Sequence, residues 1–191
     1  MANIGILGGT FDPPHRAHIA MARTAIDNVP LGKVLFMPAP HPPHKDPGDL
    51  SPYEVRRTMV RLAIEAEDKM ELSVLEEFRE GPSFTVELLR HFRTVCEDEL
   101  YLIIGADSVA DFPSWKNPER ILQLATLVIF PRTGYSSMLS MAGDASVVLF
   151  EEPVINISST EIREIYRSGS SALEHVPEAV HKFILDNSLY T

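Results

Sequence analysis

Cysteine is almost absent: the single Cys96 excludes an internal disulfide and fits a reducing compartment. No apolar run approaches the roughly 20 residues that a membrane span requires. The residues after Met1 carry no basic stretch ahead of an apolar one, so a signal peptide is not expected. Basic residues are also scarce. The 17 Lys and Arg face 27 Asp and Glu, a formal net charge of −10, which disfavours nucleic-acid backbones as partners. Any phosphate site must then be a local island of Arg, Lys and backbone amides in an acidic surface. The hydrophobic share is 45% of 191 residues, enough for a sizeable core, and a chain of this length buries roughly 70% of its unfolded surface. The expectation is one soluble, cytoplasmic domain over residues 1–191, with a homo-oligomer left open.

Apolar runs alternate with helical patterns, and no internal repeat is visible. Strands are expected over Asn3–Leu7, Lys33–Met37, Glu71–Val74, Leu100–Ile104, Thr126–Phe130 and Val147–Phe150. Most are continuously apolar, the pattern of strands covered on both faces of a parallel sheet. Helices are expected over Ile19–Asn28, from Ser51 (N-cap) and Pro52 (first position) to Asp68, and over Phe84–Val95. Others start at Asn117, at Ser158 with a stop at Gly169, and at Pro177. This alternation predicts α/β architecture, a doubly wound parallel sheet with ligands beyond the carboxyl ends of its strands. The proline-dense segment 38–52 reads as a stiff loop, and 133–145 as a flexible surface loop of unknown role.

Two segments stand out. The first is Gly8-Gly9-Thr10-Phe11-Asp12-Pro13-Pro14-His15-Arg16-Ala17-His18, directly after the first apolar run. Glycines in a tight turn let main-chain N–H groups approach an anion, and the helix that follows adds about half a positive charge at its start. His15 and His18, three apart, share one helix face. The His-x-x-His pair could be half of a zinc site, but one cysteine and no nearby third ligand argue against it. The second segment is Ile157-Ser158-Ser159-Thr160-Glu161-Ile162-Arg163. Ser158 with Glu161 reads as a capping box, and Arg163 one turn on brings a guanidinium fork to the same helix start.

The first string resembles the (H/T)xGH signature of the nucleotidyltransferase superfamily, in the GGTFDPxHxGH form of the nicotinate-nucleotide adenylyltransferases. The second resembles that superfamily's ISSTxIR motif. Pro42-Pro43-His44-Lys45 is similar to a PPHK loop, and Phe78 through Thr85 to an ExxRxGxSYT segment with Phe84 in place of Tyr. Ile104-Gly105-Ala106-Asp107-Ser108 with Trp115 is similar to a GxDxxxxxxxW stretch. Ala17 stands where the family usually has glycine, and both departures bear on nucleotide fit.

The resemblance covers nearly the whole chain and implies a Rossmann-like nucleotidyltransferase fold. It implies adenylyl transfer from ATP to nicotinate mononucleotide, giving deamido-NAD and pyrophosphate, with Mg²⁺ carried mainly by the ATP phosphates and no dedicated protein metal site. His15, His18 and Arg163 are the implied catalytic residues. His18 falls nearest the α-phosphate, and Ser159 and Arg163 hold the β/γ end with Ser158 and Thr160 beside them. Gly8, Gly9, Thr10 and Phe11 offer backbone contacts beneath the nucleotides, while Gly105 and Asp107 take the ATP ribose or base. Lys45 reaches the mononucleotide phosphate, Trp115 stacks on the pyridine, and Thr85 with the N–H of Lys116 receives its carboxylate. The alternatives are transfer to the nicotinamide mononucleotide or phosphopantetheine, a cytidylyltransferase, and a non-catalytic nucleotide sensor motivated by Ala17 alone.

Overall fold

The computed structural model describes residues 3–43, 45–77, 81–131, 146–150 and 155–191. The apolar runs become six strands: β1 (Asn3–Gly9), β2 (Leu31–Pro38), β3 (Met70–Leu72), β4 (Leu100–Gly105), β5 (Thr126–Phe130) and β6 (Val147–Leu149). All pair in parallel, in the order β3-β2-β1-β4-β5-β6. The chain steps outward from β1 to β3, then returns to the far side of β1 for β4. That reversal between β1 and β4 is the switch point where a doubly wound sheet opens a crevice at its carboxyl edge.

The helices are α1 (Arg16–Asn28), α2 (Tyr53–Ile64), α3 (Thr85–Val95), α4 (Ala106–Asp111), α5 (Pro118–Leu124), α6 (Ser159–Arg167) and α7 (Glu178–Asp186), with 3₁₀ turns at Pro47–Asp49 and Phe112–Ser114. The pleat sends neighbouring strand residues to opposite faces. Val34, Phe36, Ile103 and Val128 therefore pack with Ala22, Met59, Ile162 and Val180 on one side. Leu35, Met37, Leu102, Ile104 and Ile129 pack with Leu89, Phe92 and Ile121 on the other. Two buried faces explain why the strands read as unbroken apolar runs.

Several local expectations are corrected. Gly8 and Gly9 do not form the turn: they complete β1, opposite Met37 and Pro38. The chain turns later, through Phe11 in the left-handed region (φ 51) and a cis Asp12–Pro13 bond. Helix α1 starts at Arg16 instead of Ile19, and α2 ends at Ile64 instead of Asp68. Pro52, not Ser51, is the N-cap of α2. Ser51 is drawn elsewhere: its N–H donates to Asp12 Oδ2 at 3.0 Å and its carbonyl accepts from Arg56 Nε at 3.0 Å. Gly105, expected in a turn, caps a further helix, α4. The segment 133–145 lies outside the described residues.

Candidate active site

The end of β1 and the start of α1 hold the two histidines. His15 is the N-cap of α1, extended (φ −141, ψ 171), and His18 sits three residues in. The rings stack at 3.7 Å between centroids, and Phe11 meets His18 edge-on at 4.9 Å. The His15 backbone N–H donates to His18 Nδ1 at 3.2 Å. A main-chain N–H can only donate, so Nδ1 is the acceptor and the neutral ring carries its proton on Nε2. Burial lowers the His18 pKa from the ordinary 6.5 to about 4. At neutral pH His18 is thus an uncharged Nε2–H donor.

That shift has a sign in stability. Between pH 6.5 and about 4 the unfolded chain binds a proton at His18 that the folded chain refuses, so stability falls as pH drops through this window. Above pH 6.5 the group contributes nothing further. Thermal unfolding of His18→Gln should therefore show a shallower acid slope from pH 6.5 to 4 than wild type. Equal slopes would contradict the burial of a neutral ring.

Helix α6 brings the other motif to the same place. The capping box forms: the Glu161 N–H donates to Ser158 Oγ at 3.2 Å, and the Ser158 N–H donates to Glu161 Oε2 at 2.8 Å. Ser159 and Arg163, four apart, face the β1–α1 turn. Ser159 Oγ donates to the Pro13 carbonyl and Arg163 Nη1 to the Asp12 carbonyl, each at 2.8 Å. Arg163 Nη2 lies 3.4 Å from Thr160 Oγ1. Its Nε–H is buried with no hydrogen-bond partner among the described residues. A buried guanidinium donor without an acceptor is costly unless a ligand oxygen takes it.

Beneath the turn lies a scaffold that sequence reading missed. Arg56 is 2% exposed. Its guanidinium donates to the carbonyls of Thr10 and Ala39 at 2.8 and 2.9 Å, and lies 3.4 Å from that of Pro40. With its bond to Ser51 it ties the turn after β1, the loop after β2 and the start of α2 into one piece. Burial pulls the Arg56 pKa down, and the Asp12 carboxylate pushes it back up. Asp12 is itself 1% exposed and accepts from the Ser51 N–H and the Tyr190 hydroxyl. Burial, reinforced by Asp12, raises the Tyr190 pKa, which keeps that phenol a donor. The signal was present: Arg56, Met59, Val60 and Ala63 share the buried stripe of α2, with a cation where an apolar residue belongs.

A cavity of about 670 Å³ runs along this carboxyl edge. Of the residues expected to bind, Gly8, Gly9, Thr10, Phe11, His15, His18, Lys45, Thr85, Gly105, Trp115, Lys116, Ser158, Ser159, Thr160 and Arg163 all line it. The Asp107 side chain, His44 and residues 78–80 lie outside what is described. A Cβ on Gly8 would meet nothing within 4 Å, so that backbone faces open space. Ala17, buried, also lines the cavity. At the far end Trp115 leans on Phe112 at 5.5 Å, Thr85 opens α3 behind the N-cap Phe84, and Lys116 Nζ sits 4.4 Å above the Phe84 ring. One end is thus rich in donors for phosphate and the other is aromatic. Among the described residues no three His, Cys, Asp or Glu side chains gather into a metal site.

The sheet order and this two-ended cleft fit a nucleotidyltransferase, and the chain belongs to the cytidylyltransferase-like family, whose model matches residues 6–165. Among its relatives is the probable nicotinate-nucleotide adenylyltransferase of Thermus thermophilus, 43% identical over 98% of both chains. That of Clostridium tetani is 35% identical over the whole of both. A solved nicotinic acid mononucleotide adenylyltransferase of Plasmodium falciparum, complexed with NaAD, shares the fold at a TM-score of 0.85 and 21% identity, covering 100% of this chain and 98% of that one.

Proposed function

We propose that this chain transfers the adenylyl group of ATP to nicotinate mononucleotide, releasing pyrophosphate and forming nicotinate adenine dinucleotide. The observation that carries the reading is the joining of the two ends of the chain: Arg163 and Ser159 bond the Asp12 and Pro13 carbonyls beside His15 and His18, in one cavity. The full-length likeness to nicotinate-nucleotide adenylyltransferases supports the same substrate pair. An oxygen of the mononucleotide phosphate forms a bond to the ATP α-phosphorus as the bond to pyrophosphate breaks. The nucleophile is already ionised at neutral pH, so no general base is required. What remains is positioning two polyanions and stabilising charge on the α-phosphate and the leaving group.

In this reading the neutral His18 donates from Nε2 near the α-phosphate, with His15 behind it, and Ser159 and Arg163 hold the β/γ end. Ser158 and Thr160 complete that helix start. The backbone at the end of β1, Gly8 and Gly9, and in the turn after it, Thr10 and Phe11, lies under the nucleotides, and Gly105 with Asp107 takes the ATP ribose or base. Lys45 takes the mononucleotide phosphate, while Trp115, Thr85 and the Lys116 N–H take the pyridine and its carboxylate. The donors around the cavity suit phosphate oxygens, so Mg²⁺ enters as part of the MgATP substrate, coordinated mainly by phosphate and water. We read residues 1–191 as one domain acting in the cytoplasm.

Pyrophosphate release with ATP and nicotinate mononucleotide, compared with phosphopantetheine and with ATP alone, tests the reading. Turnover that requires the mononucleotide supports it; ATP binding without turnover favours a sensor. Trp115→Ala should raise KM for the mononucleotide about tenfold with kcat changed much less, because stacking on an indole is worth roughly 1–3 kcal/mol per base. An unchanged KM would remove Trp115 from the pyridine site.

A further inference from the structure

The chain after α7 returns to the phosphate turn through two residues in a conformation that favours glycine. Ser188 (φ 48) and Tyr190 (φ 64) both sit in the left-handed region. Ser188 has a local reason, because it stops α7: the Leu189 N–H returns to the Ile184 carbonyl at 3.0 Å. Tyr190 lies beyond that stop. A bulky residue keeps such a backbone only where its surroundings over-determine it. Here the side chain does so. Its hydroxyl donates to Asp12 Oδ1 at 2.5 Å and lies 3.9 Å from Met59 Sδ. Its ring sits 6.2 Å from that of Tyr166, three residues beyond Arg163 on α6. Tyr190 is not among the described residues that line the cavity, so any effect on a ligand passes through what it holds.

Asp12 offers three acceptor oxygens, and a different part of the chain takes each. Oδ1 takes the Tyr190 hydroxyl, Oδ2 the Ser51 N–H at 3.0 Å, and the main-chain carbonyl Arg163 Nη1 at 2.8 Å. A carboxylate held at both oxygens cannot turn, and its peptide then presents the carbonyl in one place. We propose that Tyr190 is a positioning residue, whose hydroxyl acts through Asp12 to fix the aim of the Arg163 guanidinium at the nucleotide phosphates. The proposal rests on the phosphate contacts of the adenylyl-transfer reading above. With Nη1 anchored on the Asp12 carbonyl, the buried Nε–H of Arg163 is the donor left for a ligand oxygen. Removing the Tyr190 hydroxyl strips a donor from a carboxylate that is 1% exposed. Burial and then Asp12 raise the Tyr190 pKa, and Arg163 counters them, so the Arg163 charge lies in the field of the same hydroxyl. Once Oδ1 is bare, that guanidinium is drawn towards the carboxylate and away from the phosphates.

The experiment titrates ATP into wild type, Tyr190→Phe, Arg163→Met and the double variant, and reads the dissociation constant of each. Tyr190→Phe should weaken ATP about fivefold when Arg163 is present and less than about twofold when it is not, because the two act as one unit. Tyr190→His, which returns an N–H donor on a smaller ring, should recover part of the loss. Equal weakening in both backgrounds is the mark of a packing defect and overturns the inference, as does no weakening in either. Should Tyr190→Phe not fold, Tyr190→His enters the same cycle: weakening only in the presence of Arg163 supports the inference, and any other pattern overturns it. Wild-type protein that binds ATP but releases no pyrophosphate with nicotinate mononucleotide overturns the substrate reading and leaves the cycle standing on ATP binding. Arg163→Met that binds ATP as tightly as wild type overturns the phosphate assignment, and this inference with it.

Discussion

His18→Ala should lower kcat by at least about 10²-fold, roughly 3 kcal/mol of transition-state stabilisation, with a smaller change in KM for ATP. The size follows from geometry. The Nδ1 position is locked by the His15 N–H, so the ring has one donor left, and burial holds it neutral. A neutral, preorganised N–H near the α-phosphate gains most as charge accumulates in the transition state, which is why the loss should fall on kcat. His18→Asn, which retains a donor on a shorter side chain, should recover part of the loss. Single-turnover measurements isolate the chemical step; a rate within threefold of wild type in His18→Ala would remove the assigned role.

Arg56→Met should be the most destabilising single change at the site. It leaves the carbonyls of Thr10, Ala39 and Ser51 without a shared donor, and removes the positive charge whose field the buried Asp12 carboxylate shares. Breaking a buried, hydrogen-bonded charge costs about 3–5 kcal/mol. At roughly 2–4 °C per kcal/mol for a chain of this size, Tm should drop by about 10 °C. Arg56→Lys, with one charged head in place of a fork, should recover only part of it. Calorimetric unfolding reads the effect, and a Tm within 2 °C of wild type would mean that the carbonyls find other donors.

The parts of this site that were legible in the sequence were those with a local pattern. The unbroken apolar runs foretold the parallel sheet because both faces are covered, and Ser158 with Glu161 formed its capping box because that motif closes on itself. The turn was less legible. Gly8 and Gly9 looked like turn residues, yet pairing with Met37 and Pro38 on β2 carries them on as strand, and the chain turns at Phe11 instead. Ser51 looked like a helix cap until Asp12, 39 residues away, took its N–H. The roles of Arg56 and of the Tyr190 hydroxyl escaped notice for the same reason: their partners are long-range, and no periodicity reports which carbonyl a buried guanidinium will reach. Long-range hydrogen bonds of this kind connect the two motifs and hold the cradle in shape.

The central claim is that His18 and Arg163 grip one triphosphate. Histidine ¹⁵N NMR during an ATP titration tests it most directly. The account predicts that ATP shifts the His18 Nε2 resonance and raises the His18 pKa above about 4, and that Arg163→Met weakens the same titration about tenfold, the order expected for a charge-assisted phosphate contact. Saturation of the protein with ATP while the His18 resonance stays in place would contradict it.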